Sequence, residues 1–430
     1  MKRLYAGLAA GTALAYSPAL FAPVLYDDQP HVRDNPVFTV PLRQFWGGLV
    51  SRDYFAFVNE RTYQPFVTLF HYFTHDHPML YRIAGWGLHA ANALLVYEIA
   101  RRLTGRVRSA VLAAGLFAAF PAHTEALNFS SFKGHLLASF FVLAVLVVVM
   151  DLCAEKGAKG GKSVEPVNRP DAACALLAFA LLSKESGLVA IPLAAAYQYL
   201  FVLHPSPRLN KTAAAFAALG GGYLLFRFLW LVPPPAFPVK FEYSSFRSLA
   251  FYARELVAPY PSCLEHTLSG TVWPLWLGVL AGAAWAFRRS REALFALIWI
   301  VVTLLPVLHL IPFSNVSPVA DRYLYLPVAG LCLFLVQVIT NERALVALLV
   351  LWTGLTVSRN LDYRSERALF EQTARCAPDN ARAHFLAGNA RFADKDYPAA
   401  RDSYRRVLEL TDSVGARQAL AETDRRMKAP

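Results

Sequence analysis

The sequence predicts an all-α, polytopic membrane protein of about eleven spans, ending in a short soluble helical domain. Three observations predict it. The 430 residues are 56% hydrophobic and 17% charged with positive mean hydropathy, well below the charge content of a soluble domain. Apolar runs alternate with short basic clusters, which is how membrane topology is written. After about residue 358 charge becomes dense and apolar residues return at helical spacing. The formal charge of +12 lies in those short clusters and forms no continuous stripe to track a phosphate backbone, so a nucleic-acid partner is excluded.

Spans are expected near residues 5–25, 83–100, 109–121, 136–152, 172–182, 187–204, 212–232, 273–287, 293–312, 323–339 and 343–357. The first follows Met1-Lys2-Arg3 and is read as a retained helix, because an acidic pair and many further spans come after it. With the N-terminus inside, the cytoplasmic loops carry Arg101, Arg102, Arg106 and Arg108, then Lys156, Lys159 and Lys162, then Arg208 and Lys211, then Arg288, Arg289 and Arg291. The same alternation puts residues 26–82, 233–272 and everything beyond 358 outside. Segment 26–82 has five arginines against six acids and lacks the positive bias of the inner loops.

Residues 154–170 end a glycine-rich run in Gly161-Lys162-Ser163. A phosphate-binding loop would need its first glycine where Lys156 stands, with a strand before and a helix after; Pro166 and Pro170 follow instead. The stretch is read as a cytoplasmic linker. Cys153, Cys174, Cys263, Cys332 and Cys376 have neither zinc-ligand spacing nor a disulfide-framework pattern, although Cys263 and Cys376 could meet on the outer face. In the C-terminal segment, Ala387-Gly388, Ala400 and Tyr404 stand at the small and aromatic positions of a 34-residue helix–turn–helix repeat of tetratricopeptide type, with Phe370 and Pro378 fitting the repeat before it. One and a half such repeats plus a capping helix, over residues 359–430, are too few to stand alone and should pack on the membrane domain of residues 1–358.

Four segments could carry chemistry. Asp27 and Asp28 follow the first span; one carboxylate can deprotonate a hydroxyl while its neighbour, on another face, positions it. Phe120-Pro121-Ala122-His123-Thr124-Glu125, with Lys133-Gly134-His135 beyond, offers imidazole and ammonium groups suited to a lipid-linked phosphate; Lys133 could equally snorkel. Ser183-Lys184-Glu185-Ser186 puts two ionisable groups between apolar spans, for function or for pairing with each other. Asp321-Arg322-Tyr323-Leu324-Tyr325-Leu326-Pro327 offers a guanidinium fork for phosphate with aromatic rings beside it, or else a plain ion pair in an interfacial belt.

In this order, with Asn35-Pro36, Tyr63-Gln64-Pro65-Phe66, His89 and Arg359-Asn360, the segments resemble the transmembrane and tetratricopeptide-repeat O-mannosyltransferases and their bacterial relatives, of the GT-C class. The resemblance runs over nearly the whole chain. It implies an outer-face active site, a polyprenyl-phosphate sugar such as a mannose donor, and inverting transfer to a protein or glycan hydroxyl. On that analogy Asp27 or Asp28 is the base, His123, Lys133, Lys184 and Arg322 bind the donor phosphate, and Glu125, His135, Glu185, Asp321 and Tyr323 support them. Gln64 stands where arginine is common, Lys133 and His135 where arginine and aspartate are common, and Asp321 where glutamate is common. No cofactor is demanded, though a divalent cation would be compatible. The expected setting is a bacterial inner membrane with a periplasmic site, or the endoplasmic reticulum in a eukaryote, with a protein partner open to the repeats. The rival readings are a transporter or flippase, against which no internal repeat is found in the membrane part, and a membrane-anchored scaffold using the repeats alone.

Overall fold

A computed structural model describes residues 2–59, 62–154, 169–204, 206–232, 245–260, 263–266, 290–308 and 319–428, with isolated positions 278, 282 and 288. Every regular element among the described residues is helical. The linker with Gly161-Lys162-Ser163 and the expected span 273–287 lie outside them. Helix α1 (Lys2–Tyr16) stops short of the expected 5–25 span: Pro18 turns the chain into a 3-10 turn at Ser17–Ala19. The long segment that follows, expected to lie outside, is itself partly helical, as α2 (Leu42–Leu49), α3 (Tyr54–Val58) and α4 (Pro65–Thr74).

The bundle then runs through α5 (Pro78–Thr104), α6 (Val107–Ala118), the short α7 (His123–Asn128), α8 (Lys133–Ala154), α9 (Arg169–Ser183), α10 (Ala190–Phe201) and α11 (Pro207–Leu225). After α12 (Ser245–Val257) come α13 (Arg291–Leu304), α14 (Tyr325–Val338) and α15 (Glu342–Asp362). Of the expected spans, four correspond to helices long and apolar enough to cross a membrane among the described residues: Lys133–Ala154, Pro207–Trp230, Asp321–Val338 and Glu342–Asp362. Shorter apolar helices run at Val107–Ala118 and Pro170–Ser183. This is the architecture of a helical membrane protein, in which each helix satisfies its own backbone hydrogen bonds.

Small residues set the close approaches, as expected where lipid gives helices no hydrophobic reason to associate. A Cβ on Gly330 would lie 2.8 Å from the Trp299 ring, so glycine there lets α14 lie directly on α13. Polar side chains fasten the remaining helices. Tyr325 Oη meets His89 Nδ1 at 2.7 Å and accepts from Asn92 Nδ2 at 2.9 Å, joining α14 to α5. Asn360 on α15 donates to the Ala15 carbonyl of α1 at 3.2 Å and accepts from Asn128 of α7 at 2.8 Å. At one end of the bundle Arg102 pairs with Asp151 at 2.9 Å and Arg108 with Glu342 at 3.5 Å. The acidic pair and the C-terminal helices meet at the other end.

Beyond α15 come α16 (Glu366–Cys376), α17 (Ala381–Ala393), α18 (Tyr397–Leu410) and α19 (Val414–Lys428). Ser365, Asn380 and Asp396 cap the first three, each accepting from the amide three residues on. Gly388 is required where α17 meets α18: a Cβ there would come within 2.7 Å of the Tyr404 ring. These helices do not float free. Tyr363, Leu369, Phe370, Ala387 and Ala390 share one buried apolar cluster with Ala19, Leu25, Phe129 and Leu264 of the membrane part. A disulfide joins Cys263 to Cys376 with Cα atoms 6.3 Å apart, so the pair that sequence spacing did not single out as a framework is a covalent strap between the two parts.

Candidate functional site

The two adjacent carboxylates have opposite fates. Asp28 is buried, and its two oxygens accept the backbone amides of Ser130 at 2.6 Å and Ser131 at 2.8 Å, just ahead of α8. Burial pushes its carboxyl above the usual range, while the two amides and nearby Lys133 pull it back. Asp27 is partly open to solvent. Its carboxyl is also raised, first by desolvation, against the opposing fields of His31, Arg322 and Arg382. A carboxylate made more basic and left accessible is suited to accept a proton. The backbone enforces the split: Tyr26 has φ +42°, a left-handed conformation costing an aromatic residue roughly 1–3 kcal/mol, and residues 29–33 form a π-helical turn, a geometry frequent at functional sites.

Two buried cations hold this loop. Arg82 donates to the carbonyls of Leu20 at 3.1 Å, Ala22 at 2.5 Å and Pro23 at 2.7 Å, fixing the chain between α1 and the acidic pair. Lys133 Nζ reaches the carbonyls of Leu127 at 2.6 Å, Phe129 at 2.8 Å and Ala126 at 3.3 Å. An ammonium has three protons, and these three carbonyls use them. Lys133 therefore fastens the loop that supplies Asp28's two amides. His71 adds a bond to the Ser130 carbonyl at 3.0 Å and is held neutral, its pKa pushed down to about 4 by burial.

Arg322 stands at the opposite wall. Its backbone amide donates to Glu125 Oε2 at 2.7 Å and its guanidinium to Glu125 Oε1. The guanidinium also lies over Phe132 at 4.2 Å and Tyr323 at 5.0 Å. Glu125 is buried, which raises its carboxyl against the pull of Arg322. Tyr323 packs edge-on against His135 with centroids 5.5 Å apart, and Lys184 and Arg322 are both within electrostatic reach of that imidazole. Lys184 is partly exposed; its Cδ passes 3.6 Å from where a Cβ on Gly134 would stand. Gln64, at a position where the resemblance leads one to expect arginine, lies against the same glycine.

The sequence-named residues thus divide. Asp27, Glu125, His135, Lys184, Arg322 and Tyr323 surround one end of the bundle. Asp28 and Lys133 lie just behind, spent on backbone groups. His123 is fully buried, its ring enclosed by Phe117, His89, Phe120 and Tyr325 at centroid distances of 4.8, 5.2, 5.7 and 4.6 Å. That aromatic cage, which pushes its pKa well down, gives it no surface to offer a phosphate. Glu185 pairs with Arg227 Nε at 2.7 Å and accepts from the Tyr63 amide at 3.3 Å, so the structural partner of that carboxylate is Arg227. Asp321 is buried against His266 Nε2 at 2.8 Å.

Several contributors were not visible to sequence reasoning. Glu265 and His266 come from the segment after α12, Arg382 and Glu366 from the C-terminal helices. Arg382 donates to Glu265 at 2.9 Å and to Tyr26 Oη. Glu366 accepts the Tyr26 amide at 2.8 Å and Gln29 Nε2 at 3.1 Å. No periodicity or motif points to these side chains, because each acts across at least fifty residues. Among the described residues no group of three or more His, Cys, Asp or Glu is arranged to hold a metal ion.

No family model matches the chain. Among curated proteins it is similar to a protein O-mannosyl-transferase of Caenorhabditis elegans, 24% identical over 453 residues, which cover 93% of this chain and 61% of the relative. It is 25% identical to protein O-mannosyl-transferase TMTC3 of Mus musculus over 96% of this chain and 51% of that protein, and 25% identical to TMTC4 of Homo sapiens over 88% and 62%. The chain spans about half to three-fifths of the length of these relatives.

Proposed function

We propose that the chain is a membrane glycosyltransferase of the GT-C kind, moving a sugar, mannose by the names of its relatives, from a polyprenyl-phosphate carrier to a hydroxyl of a protein or glycan. The observation that carries the proposal is the split of the acidic pair, which leaves Asp27 accessible and basic beside Arg322 in a chain similar over most of its length to O-mannosyl-transferases.

In the reaction, Asp27 takes the proton of the acceptor hydroxyl as its oxygen bonds to the anomeric carbon. The bond from that carbon to the phosphate oxygen breaks, and the polyprenyl phosphate leaves with the electron pair. One displacement inverts the anomeric centre. Arg322 and Lys184 stabilise the departing phosphate, with His135 beside them, where charge that develops in a low-dielectric site is most strongly felt. Arg322 fits because Glu125 fixes its orientation while a guanidinium has five donors to share. Lys133 and His123 leave the phosphate-binding set that the resemblance suggested, and Asp28 becomes the group that positions Asp27. The remaining expected spans complete the membrane domain of residues 1–358. Residues 359–430 form a tetratricopeptide-like unit on the same face, periplasmic in a bacterial inner membrane or lumenal in the endoplasmic reticulum, where an acceptor protein is met.

The test is transfer of radiolabelled sugar from a panel of polyprenyl-phosphate sugars by the purified full chain in lipid, with protein extract as acceptor. Label in protein from one donor, chased by the matching unlabelled donor, is expected. A folded protein that transfers from none of them sinks the proposal.

A further inference from the structure

From the grip of the C-terminal helices on the residue preceding Asp27, we infer that Arg382 and Glu366 are positioning residues of the catalytic site. This makes the C-terminal unit a wall of the active site in addition to any role in meeting the acceptor. The inference rests on the proposed transferase reading and names a determinant of that same site.

Three contacts converge on Tyr26, and all come from residues 366–382. Glu366 Oε1 accepts from its amide, Arg382 donates to its hydroxyl, and Phe370 packs edge-on against its ring with centroids 5.3 Å apart. Glu366 also accepts a hydrogen bond from Gln29 Nε2, so it holds the chain on both sides of the acidic pair. Arg382 is itself held in place: it donates to Glu265, and the Cys263–Cys376 disulfide ties that loop to the end of α16. Tyr26 is one of three non-glycine residues with positive φ among the described residues. Such a conformation persists only where its surroundings over-determine it, and these surroundings belong to the C-terminal unit. Arg382 has a second effect, because its charge, like that of Arg322, acts on the Asp27 carboxyl and opposes the rise caused by burial. Arg406 of the same unit is instead engaged in an exposed pair with Glu409 at 2.9 Å.

The experiment measures steady-state transfer by the full-length protein in lipid for wild type, Arg382→Ala, Arg382→Lys, Glu366→Gln, Asp27→Asn and the control Arg406→Ala. Each is run over a pH series, with folding followed by its melting midpoint. The inference predicts that Arg382→Ala lowers kcat about tenfold or more while the donor KM stays within about twofold, the pattern of a group acting on the transition state. The acidic limb of its kcat profile should move to higher pH, because the cation that favours the ionised carboxylate is gone. Arg382→Lys should restore the limb and part of the rate. Glu366→Gln should lower kcat without moving the limb, and Arg406→Ala should match wild type. If Arg382→Ala does not fold, the Glu366→Gln rate and the Arg382→Lys limb decide. A wild-type kcat and pH profile in the Arg382 and Glu366 variants, with any loss confined to acceptor KM, overturns the inference. An Asp27→Asn protein with full activity would overturn the underlying transferase assignment instead.

Discussion

Replacing Asp28 by asparagine should damage the fold more than the chemistry, and the size of the effect can be worked from its contacts. The carboxylate accepts two backbone amides, at 2.6 and 2.8 Å, in a buried setting. Hydrogen bonds to a charged acceptor contribute about 1.5–3 kcal/mol each. Asparagine keeps one carbonyl oxygen and turns an amino group toward the second amide, so one bond weakens to neutral strength and the other is lost. The sum is about 3 kcal/mol, with a buried amide left unsatisfied. The assay is fluorescence-detected melting of purified protein in detergent, beside Asp27→Asn. Asp28→Asn should melt several degrees lower, whereas Asp27→Asn should melt with wild type. A wild-type midpoint for Asp28→Asn, or a larger drop for Asp27→Asn, would refute the division of labour drawn from the geometry.

Glu125→Gln leaves Arg322, only 13% exposed at its side chain, without its counter-ion. Breaking a buried pair costs about 3–5 kcal/mol, so the same melting assay should show a large drop, and Glu125→Gln combined with Arg322→Met should recover part of it. His71, neutral with a pKa near 4 when folded, takes up its proton near 6.5 when unfolded. Its contribution is therefore complete above about pH 6.5 and lost as pH falls towards 4, by roughly 3 kcal/mol, and His71→Gln should flatten the melting midpoint over that window. Reducing the Cys263–Cys376 bond, which closes a separation of 113 residues, should cost about 5 kcal/mol on the chain-entropy account. Treatment with reductant should lower the melting midpoint of wild type and leave Cys263→Ser/Cys376→Ser unchanged.

What the sequence made legible follows a physical rule. Composition and hydropathy report burial in lipid, so the helical membrane class was readable, and a local spacing reports a local packing, so the Gly388–Tyr404 contact could be anticipated. The acidic pair stood out as a candidate, and adjacency alone implied that its members face differently. Which one is buried depends on the Ser130 and Ser131 amides, about a hundred residues away, and on the positive φ of Tyr26. A sequence shows that Lys133 and His123 can carry charge, but not that Lys133's protons go to three backbone carbonyls or that His123 is enclosed by aromatic rings. The Cys263–Cys376 strap and the Glu265–Arg382 pair are long-range contacts without a spacing signature. Helix ends were misjudged where a turn intervened, as at Pro18 after α1.

The central claim is that Asp27 is the base, and the direct measurement is single-turnover transfer from a preloaded polyprenyl-phosphate sugar by wild type and Asp27→Asn, with donor binding measured separately. The account predicts unchanged donor affinity and a chemical step slowed by about a hundredfold or more, the usual scale of general-base catalysis. An Asp27→Asn protein that binds donor and turns it over at the wild-type rate would contradict it.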